Sequence, residues 1–245
     1  FESAKRFKYS NLGFALLGRV IEAASGLSYK NYMKQIILDT VGMPDTAVDF
    51  CPERARQLAT GYGRVLTDHE RIVFSHTRTK SMESATGFVS TVPDLCRFFS
   101  KVFFSEESLL SKESLREMQR VQWFDESTGN TIKWGLGLEI WRAYNTVLRG
   151  HNGVFLGFSA QATFDVDRKI SVVVLTNGLN APTANLANGI FNVINYVSAN
   201  FGMVNKNFFP LHHFKRLEGL YTDLWDDILV FNMNNQLSFI YPSAR

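Results

Sequence analysis

Tyr9-Ser10-Asn11-Leu12-Gly13-Phe14-Ala15-Leu16-Leu17-Gly18 opens a run in which Leu12, Leu16, Leu17, Val20, Ile21 and Ala24 recur at spacings of three and four. That is the helical period, so the run predicts a helix over 11–25 with those residues as its buried stripe. Gly26 is its stop, because glycine readily takes the left-handed conformation that ends helices. Ser28 can cap a second helix that buries Tyr32, Met33, Ile36 and Ile37. Gly42-Met43-Pro44-Asp45-Thr46 is the turn that closes this unit. Asn11 has two readings at its position: an N-cap for the first backbone N–H groups, or a polar group presented at the helix start.

Moving outward, 49–84 shows little periodicity and reads as a long, partly ordered excursion. Thr91-Val92-Pro93-Asp94 has the form of a capping box, and the helix behind it buries Leu95, Phe98, Phe99 and Val102. Ser111 starts a short helix through Leu115 and Met118. From Trp134 the pattern changes to short β-rich segments at 134–141, 146–151, 158–166 and 169–176. Asp165-Val166-Asp167-Arg168 turns the last two into a hairpin. A final helix over 184–201 carries Leu186, Ile190, Val193, Ile194 and Val197 on one face. Helices, then an antiparallel sheet, then a covering helix define an α+β layered domain. The expected division is a domain over 1–203, then a linker (Asn205–Arg216) and the start of a β-rich segment within 204–245. Two or three strands are too few to stand alone.

Composition narrows the function classes. Of 245 residues, 45% are hydrophobic, 20% are charged and 21 are Phe, which indicates an aromatic-rich globular core. The balance of 26 basic against 23 acidic residues leaves a formal charge of +3. Its densest basic stretch, Lys5, Arg6 and Lys8, reads as a solvated face, so neither nucleic acid nor an anionic membrane is an expected partner. No apolar run approaches the roughly 20 residues that span a bilayer. Cys51 and Cys96 lack metal-ligand spacing and read as free or buried thiols rather than a pair. His69, His76, His212 and His213 have no convergent partners in the sequence and read as surface residues. Trp134 and Trp141 read as packing residues before pocket-lining ones.

The motifs carry a resemblance. Tyr9 to Gly18, then Ile21-Glu22, Ser25-Gly26, Tyr29, Tyr32 and Gly42 to Thr46, resembles the second-motif region of the serine β-lactamase-like family. That family includes class C β-lactamases, D-alanyl-D-alanine peptidases (penicillin-binding proteins) and related esterases. Gly150-His151-Asn152-Gly153, followed by Gly157-Phe158-Ser159 and by Val172 to Asn177, is similar to its third motif, in an H-x-G form rather than K-T-G. Gly87 to Thr91 with Asp94-Leu95 and Arg97-Phe98, and Trp134-Gly135-Leu136-Gly137, match further family segments. The matches run in order over roughly 7–200.

The resemblance implies a β-lactamase-like fold, an antiparallel sheet covered by helices with a helical region beside it. It implies a cofactor-free serine hydrolase that cleaves a D-amino-acid peptide, a β-lactam or a small ester through an acyl-enzyme. Acyl transfer needs a base for the nucleophile and donors for the oxyanion. By the likeness, Tyr9 shuttles the proton, which its reference pKa near 10 suits only beside cations. Asn11 bonds the lysine that the family places beside its nucleophilic serine, and the substrate amide, while His151 supports Tyr9 and the substrate electrostatically. Ser10 and Asn152 flank these as substrate contacts. Gly153 keeps the strand edge bare, and the backbone N–H of Val154 is half of the oxyanion hole. No metal has a place in this scheme.

The family's nucleophile comes from S-x-x-K, yet no serine in this chain has lysine three residues later. Because the family places that segment well upstream of Tyr9, the expectation is an N-terminally truncated polypeptide, inactive alone, with its nucleophilic Ser and Lys outside the chain. The rival class is a non-catalytic homologue that binds or scaffolds. The H-x-G form favours an esterase or peptidase over a dedicated β-lactamase. Family members are often periplasmic or secreted, but compartment and oligomeric state are not encoded in these motifs.

Overall fold

A computed structural model of the chain describes residues 7–65, 70–129, 131–143, 145–200, 218–222, 227–233 and 236–240. They divide into two compact units, Phe1–Asn195 and Tyr196–Arg245. Lys5, Arg6, His69, His212, His213 and the linker expected over 205–216 lie outside the described residues.

The first helix, α1 (Asn11–Ser25), has the expected bounds, and Gly26 ends it at φ 71°. Its cap is Ser10, not Asn11: the Ser10 hydroxyl oxygen accepts from the Gly13 N–H at 2.9 Å. Its burial reverses the expectation. Leu12, Leu16, Leu17 and Val20 are 52–65% exposed, while Ala15 and Gly18 are buried. The physical reason is close approach. A Cβ on Gly18 would stand 2.3 Å from Ser84 Oγ, and that hydroxyl donates to the Phe14 carbonyl at 2.9 Å. The seat is therefore made by small residues, which the apolar period does not register.

Ser28 caps α2 (Tyr29–Tyr32), which widens into a π-helical stretch over Met33–Leu38 and closes with α3 (Asp39–Val41). The wider turn shifts the helical phase. Tyr29 and Leu38 are buried, whereas Ile36 of the expected stripe is 45% exposed.

The excursion after Val48 is ordered where it is described. Strand β1 (Ala47–Val48) precedes a 3-10 turn over Pro52–Gln57, and β2 (Gly61–Val65) pairs antiparallel with β3 (Arg71–Phe74). Asp49 ties the stretch together. Its carboxylate accepts from the backbone N–H of Phe50, Thr79 and Lys80 and from the Thr79 hydroxyl, at 2.8–3.2 Å.

Strand β4 (Phe88–Val89) pairs with β1 and leads to α4 (Val92–Phe99), continued as a π-helical turn over Ser100–Phe104. Thr91 caps α4 as expected, but the second half of the capping box is absent. The fully buried Asp94 carboxylate accepts instead from the Asp45 N–H at 2.9 Å and the Thr46 hydroxyl at 2.8 Å. This bond fastens the turn after α3 to the start of α4. Helix α5 (Lys112–Gln119) begins at Ser111.

The main sheet holds β5 (Trp123–Phe124), β6 (Lys133–Trp134), β7 (Glu139–Ala143), β8 (Thr146–Phe155), β9 (Phe158–Asp165) and β10 (Ile170–Thr176). Its order is β10-β9-β8-β7-β6-β5, an antiparallel meander. Alternation sends neighbouring residues of β10 to opposite faces. Val173 packs with Phe164, Leu138, Phe99, Val102 and Phe103 under α4 and its π turn. Val172 packs with Leu148, Ala187 and Phe191 under α6 (Thr183–Asn200). The sheet is thus covered on both faces, the α+β arrangement expected. Here the expected stripe is displaced in part: Leu186, Ile190 and Val193 are 37–48% exposed, while Ile194 packs beside Ala187 and Phe191.

In the second unit β11 (Gly219–Thr222), β12 (Asp227–Met233) and β13 (Gln236–Ile240) form an antiparallel three-stranded sheet. Cys51 and Cys96 are free thiols. No helix is long and apolar enough to cross a membrane among the described residues.

Candidate active site

Three elements converge on one face of the sheet. The segment before α1 carries Tyr9, the end of β6 carries Trp134, and the middle of β8 carries His151. The Tyr9 ring lies 6.1 Å from His151 and 5.5 Å from Trp134, and Trp134 lies 5.5 Å from His151. Phe7 stacks on Trp134 at 5.0 Å and 20°, anchoring the segment that carries Tyr9. Tyr9 itself is 55% exposed, so its face toward the solvent is open to a ligand.

His151 Nδ1 lies 2.5 Å from the Asn152 carbonyl oxygen. A carbonyl only accepts, so Nδ1 donates in this bond and Nε2 is the ring nitrogen left for a further partner.

Strand β8 outruns its neighbour. Strand β7 pairs Glu139–Ala143 with Thr146–Gly150, so His151 to Phe155 have no strand partner on that side among the described residues. That open edge includes Gly153 and Val154. Val154 is 66% exposed. Alternation sets Asn152 and Val154 on the sheet face opposite His151 and Gly153, so their backbone, rather than their side chains, borders the Tyr9 face. Gly150 is sterically required: a Cβ there would stand 2.0 Å from the Ala162 carbonyl oxygen.

Asn11 is exposed in the first turn of α1. Ser10 Oγ is engaged as the cap acceptor, which leaves its hydroxyl hydrogen free to donate.

Two neighbours were not among the expected site residues. Trp134, read as packing, is the hub between Tyr9 and His151. Glu139 pairs with Trp134 across β6–β7 and with Gly150 across β7–β8. Burial pushes its carboxyl above the usual range, opposed by the charge of His151 and reinforced by that of Asp125. The available signal was Trp134 and Glu139 on either side of Gly135-Leu136-Gly137, a tight turn that folds them opposite each other. His76, read as a surface residue without partners, has two ring neighbours. It is half-buried between Phe50 and Phe158. Among the described residues no three His, Cys, Asp or Glu side chains group as metal ligands.

An antiparallel sheet covered on both faces, with a tyrosine, a histidine and an open glycine-bearing strand edge on one side, is the frame of a penicillin-recognising enzyme fold. A family model described as "Beta-lactamase" matches residues 1–191, and the chain belongs to that family. It is 29% identical over 192 residues to penicillin-binding protein 4* of Bacillus subtilis, covering 72% of this chain and 41% of that protein. It is 31% identical over 115 residues to the human mitochondrial serine beta-lactamase-like protein LACTB, covering 46% and 20% respectively. The chain therefore spans well under half the length of either relative.

Among solved structures, the octameric penicillin-binding protein homologue of Pyrococcus abyssi superposes with a TM-score of 0.68 at 23% identity. The match covers 98% of this chain and 56% of that one. A D-stereospecific amidohydrolase of Streptomyces superposes with a TM-score of 0.66 at 23% identity, covering 76% and 55%. These likenesses establish the β-lactamase-like fold.

Proposed function

We propose that the chain supplies the Tyr9–His151 side of a serine-hydrolase site that cleaves an amide or ester, with the nucleophilic Ser and Lys provided by residues outside these 245. The observation that supports this most is the meeting of Tyr9, at the head of α1, with His151 on β8, beside the open edge at Gly153 and Val154. In this reading Tyr9 moves the proton between serine and leaving group, and Asn11 holds the lysine and the substrate amide. His151 offers Nε2 to Tyr9 or to the substrate. Gly153 lets the substrate lie along the edge, with Ser10 and Asn152 beside it. The Val154 N–H stabilises the oxyanion. Small amides, D-amino-acid peptides, β-lactams and small esters are the substrate classes. The amidohydrolase and amidases among the similar folds support the amide end of that range. The hydrolase role belongs to 1–203, with 204–245 a linker and a β-rich segment beyond the family match, which ends at residue 191.

The test is covalent labelling of the gene product that contains these residues by a fluorophosphonate or a fluorescent penicillin. Labelling is expected, and Tyr9→Phe should slow it by roughly 10²- to 10⁴-fold while the melting temperature holds. A folded gene product that takes no label belongs instead to a non-catalytic homologue that binds or scaffolds.

A further inference from the structure

The excursion between Val48 and Ser84 contributes none of the site residues above, yet its ordering places two rings at the far end of the β8–β9 hairpin. The His76 ring stacks on Phe50 at 5.2 Å and 17°, and on Phe158 at 6.4 Å and 18°. All three rings are half-buried, so part of their surface stays open. The tier is held from several directions. Asp49 fastens the backbone at Phe50, Thr79 and Lys80. Gly61 of β2 backs the Phe158 ring so closely that a Cβ there would stand 2.7 Å from it. The Tyr62 N–H bonds the Gly157 carbonyl at 3.2 Å, tying β2 to the hairpin turn.

Cross-strand partners point to the same face of an antiparallel pair. The register pairs His151 with Ala162, Gly153 with Ala160 and Phe155 with Phe158, so these residues share one face. The Cβ that Gly153 lacks would lie 3.7 Å from the Ala160 Cβ, in agreement. Tyr9 and Trp134 border this face at His151. At its other end stands the tier, and between them the floor is a glycine and an alanine. His151 and Phe155 are four residues apart on one strand, about 13 Å. The face is therefore a shallow trough, with polar and aromatic groups at one end, a bare middle and an aromatic wall at the other.

We propose that Phe50, His76 and Phe158 are a recognition tier for the planar apolar substituent of a substrate whose amide or ester group lies at the His151 end. The substrate class is then an amide or ester with an aromatic side chain. This rests on the hydrolase reading for the bond cleaved and adds the specificity. The trough length fits one extended residue with an aromatic ring, and the missing side chain at Gly153 and the methyl at Ala160 leave room for its backbone.

The test is ligand titration of this chain, followed by amide NMR, with N-acetyl-phenylalaninamide and N-acetyl-alaninamide. The aromatic amide is expected to bind roughly three- to tenfold more tightly and to shift Gly153, Ala160, Phe158 and His76. Phe158→Leu and His76→Leu should each remove that preference and leave the alaninamide response unchanged, with the amide spectrum away from the tier confirming the fold. Equal affinities, no binding of either amide, or a preference that survives both variants overturns the proposal. The readout needs no nucleophile, so absent labelling of the gene product would reject the hydrolase reading without touching this result.

Discussion

The rings of Tyr9 and His151 stand 6.1 Å apart, brought together from the head of α1 and the middle of β8, with Trp134 5.5 Å from each. Trp134 also stacks on Phe7, so one indole fixes both the segment and the imidazole. Trp134→Leu is expected to cost about 1–3 kcal/mol and to open residues 7–10 to proteolysis. Urea unfolding with limited proteolysis checks this. An unchanged cleavage pattern would show that Tyr9 is placed by something else.

Gly150 stands one residue before His151, and an added methyl would collide with the Ala162 backbone of the neighbouring strand. Backbone cannot swing aside as a side chain can. Gly150→Ala should lower stability by about 1–3 kcal/mol and shift the His151 ring resonances, while Gly153→Ala, 3.7 Å from a methyl group, should cost much less. Denaturation of the two variants side by side decides it.

Acid should unfold the chain through Asp49 and Asp165. Burial raises each carboxyl, but their hydrogen bonds outweigh it and both end below the usual range. The donors are Thr79, Phe50 and Lys80 for Asp49, and Arg168 and Thr146 for Asp165. Their native pKa values are depressed, so the unfolded chain binds more protons. Their stabilisation is full above the ordinary value near 3.9 and is lost as pH falls through the native values. Glu139 has the opposite sign: burial raises it, so stability declines as pH rises from about 4.3 through its native value. Glu139→Gln should therefore be more stable than the parent at pH 7 and equal to it at pH 3. Melting curves across that range test both signs.

The apolar stripe of α1 faces outward. Leu16→Lys with Val20→Lys should change the unfolding free energy by no more than about 0.5 kcal/mol per site, because these side chains are 59% exposed. The same pair should reduce binding of a hydrophobic dye. A loss of several kcal/mol would place the stripe in the core after all.

What the sequence disclosed, and what it concealed, follows from the kind of force involved. Local signals were legible. Ser28, Thr91 and Ser111 cap the helices expected of them, and Asp165 to Arg168 turns the expected hairpin. The meeting of Tyr9 and His151 was legible only through the family likeness, since no local pattern relates a helix cap to a distant strand.

The buried face was legible in α4 with its π turn and in α5, where Leu95, Phe98, Phe99, Val102, Leu115 and Met118 pack as expected, but not in α1. Periodicity marks which residues are apolar, whereas the seat of α1 is set by how closely Gly18 lets Ser84 approach. In α2 the π-helical widening moves the phase beyond Met33, which an ideal 3.6-residue period cannot follow. The excursion looked irregular because one carboxylate, Asp49, organises it from a position the pattern does not weigh. Glu139 and Trp134 were hidden for a related reason, as their pairing is a matter of cross-strand register.

The unpaired edge of β8 from His151 to Phe155 has a metric consequence. Any extended chain that pairs with it must turn successive side chains to opposite sides, with like-facing ones about 7 Å apart. Only every second residue of such a chain meets the His151 side of the sheet. The edge is a ruler graduated in dipeptides, and a guest that slips by a single residue presents the wrong side chain at every mark.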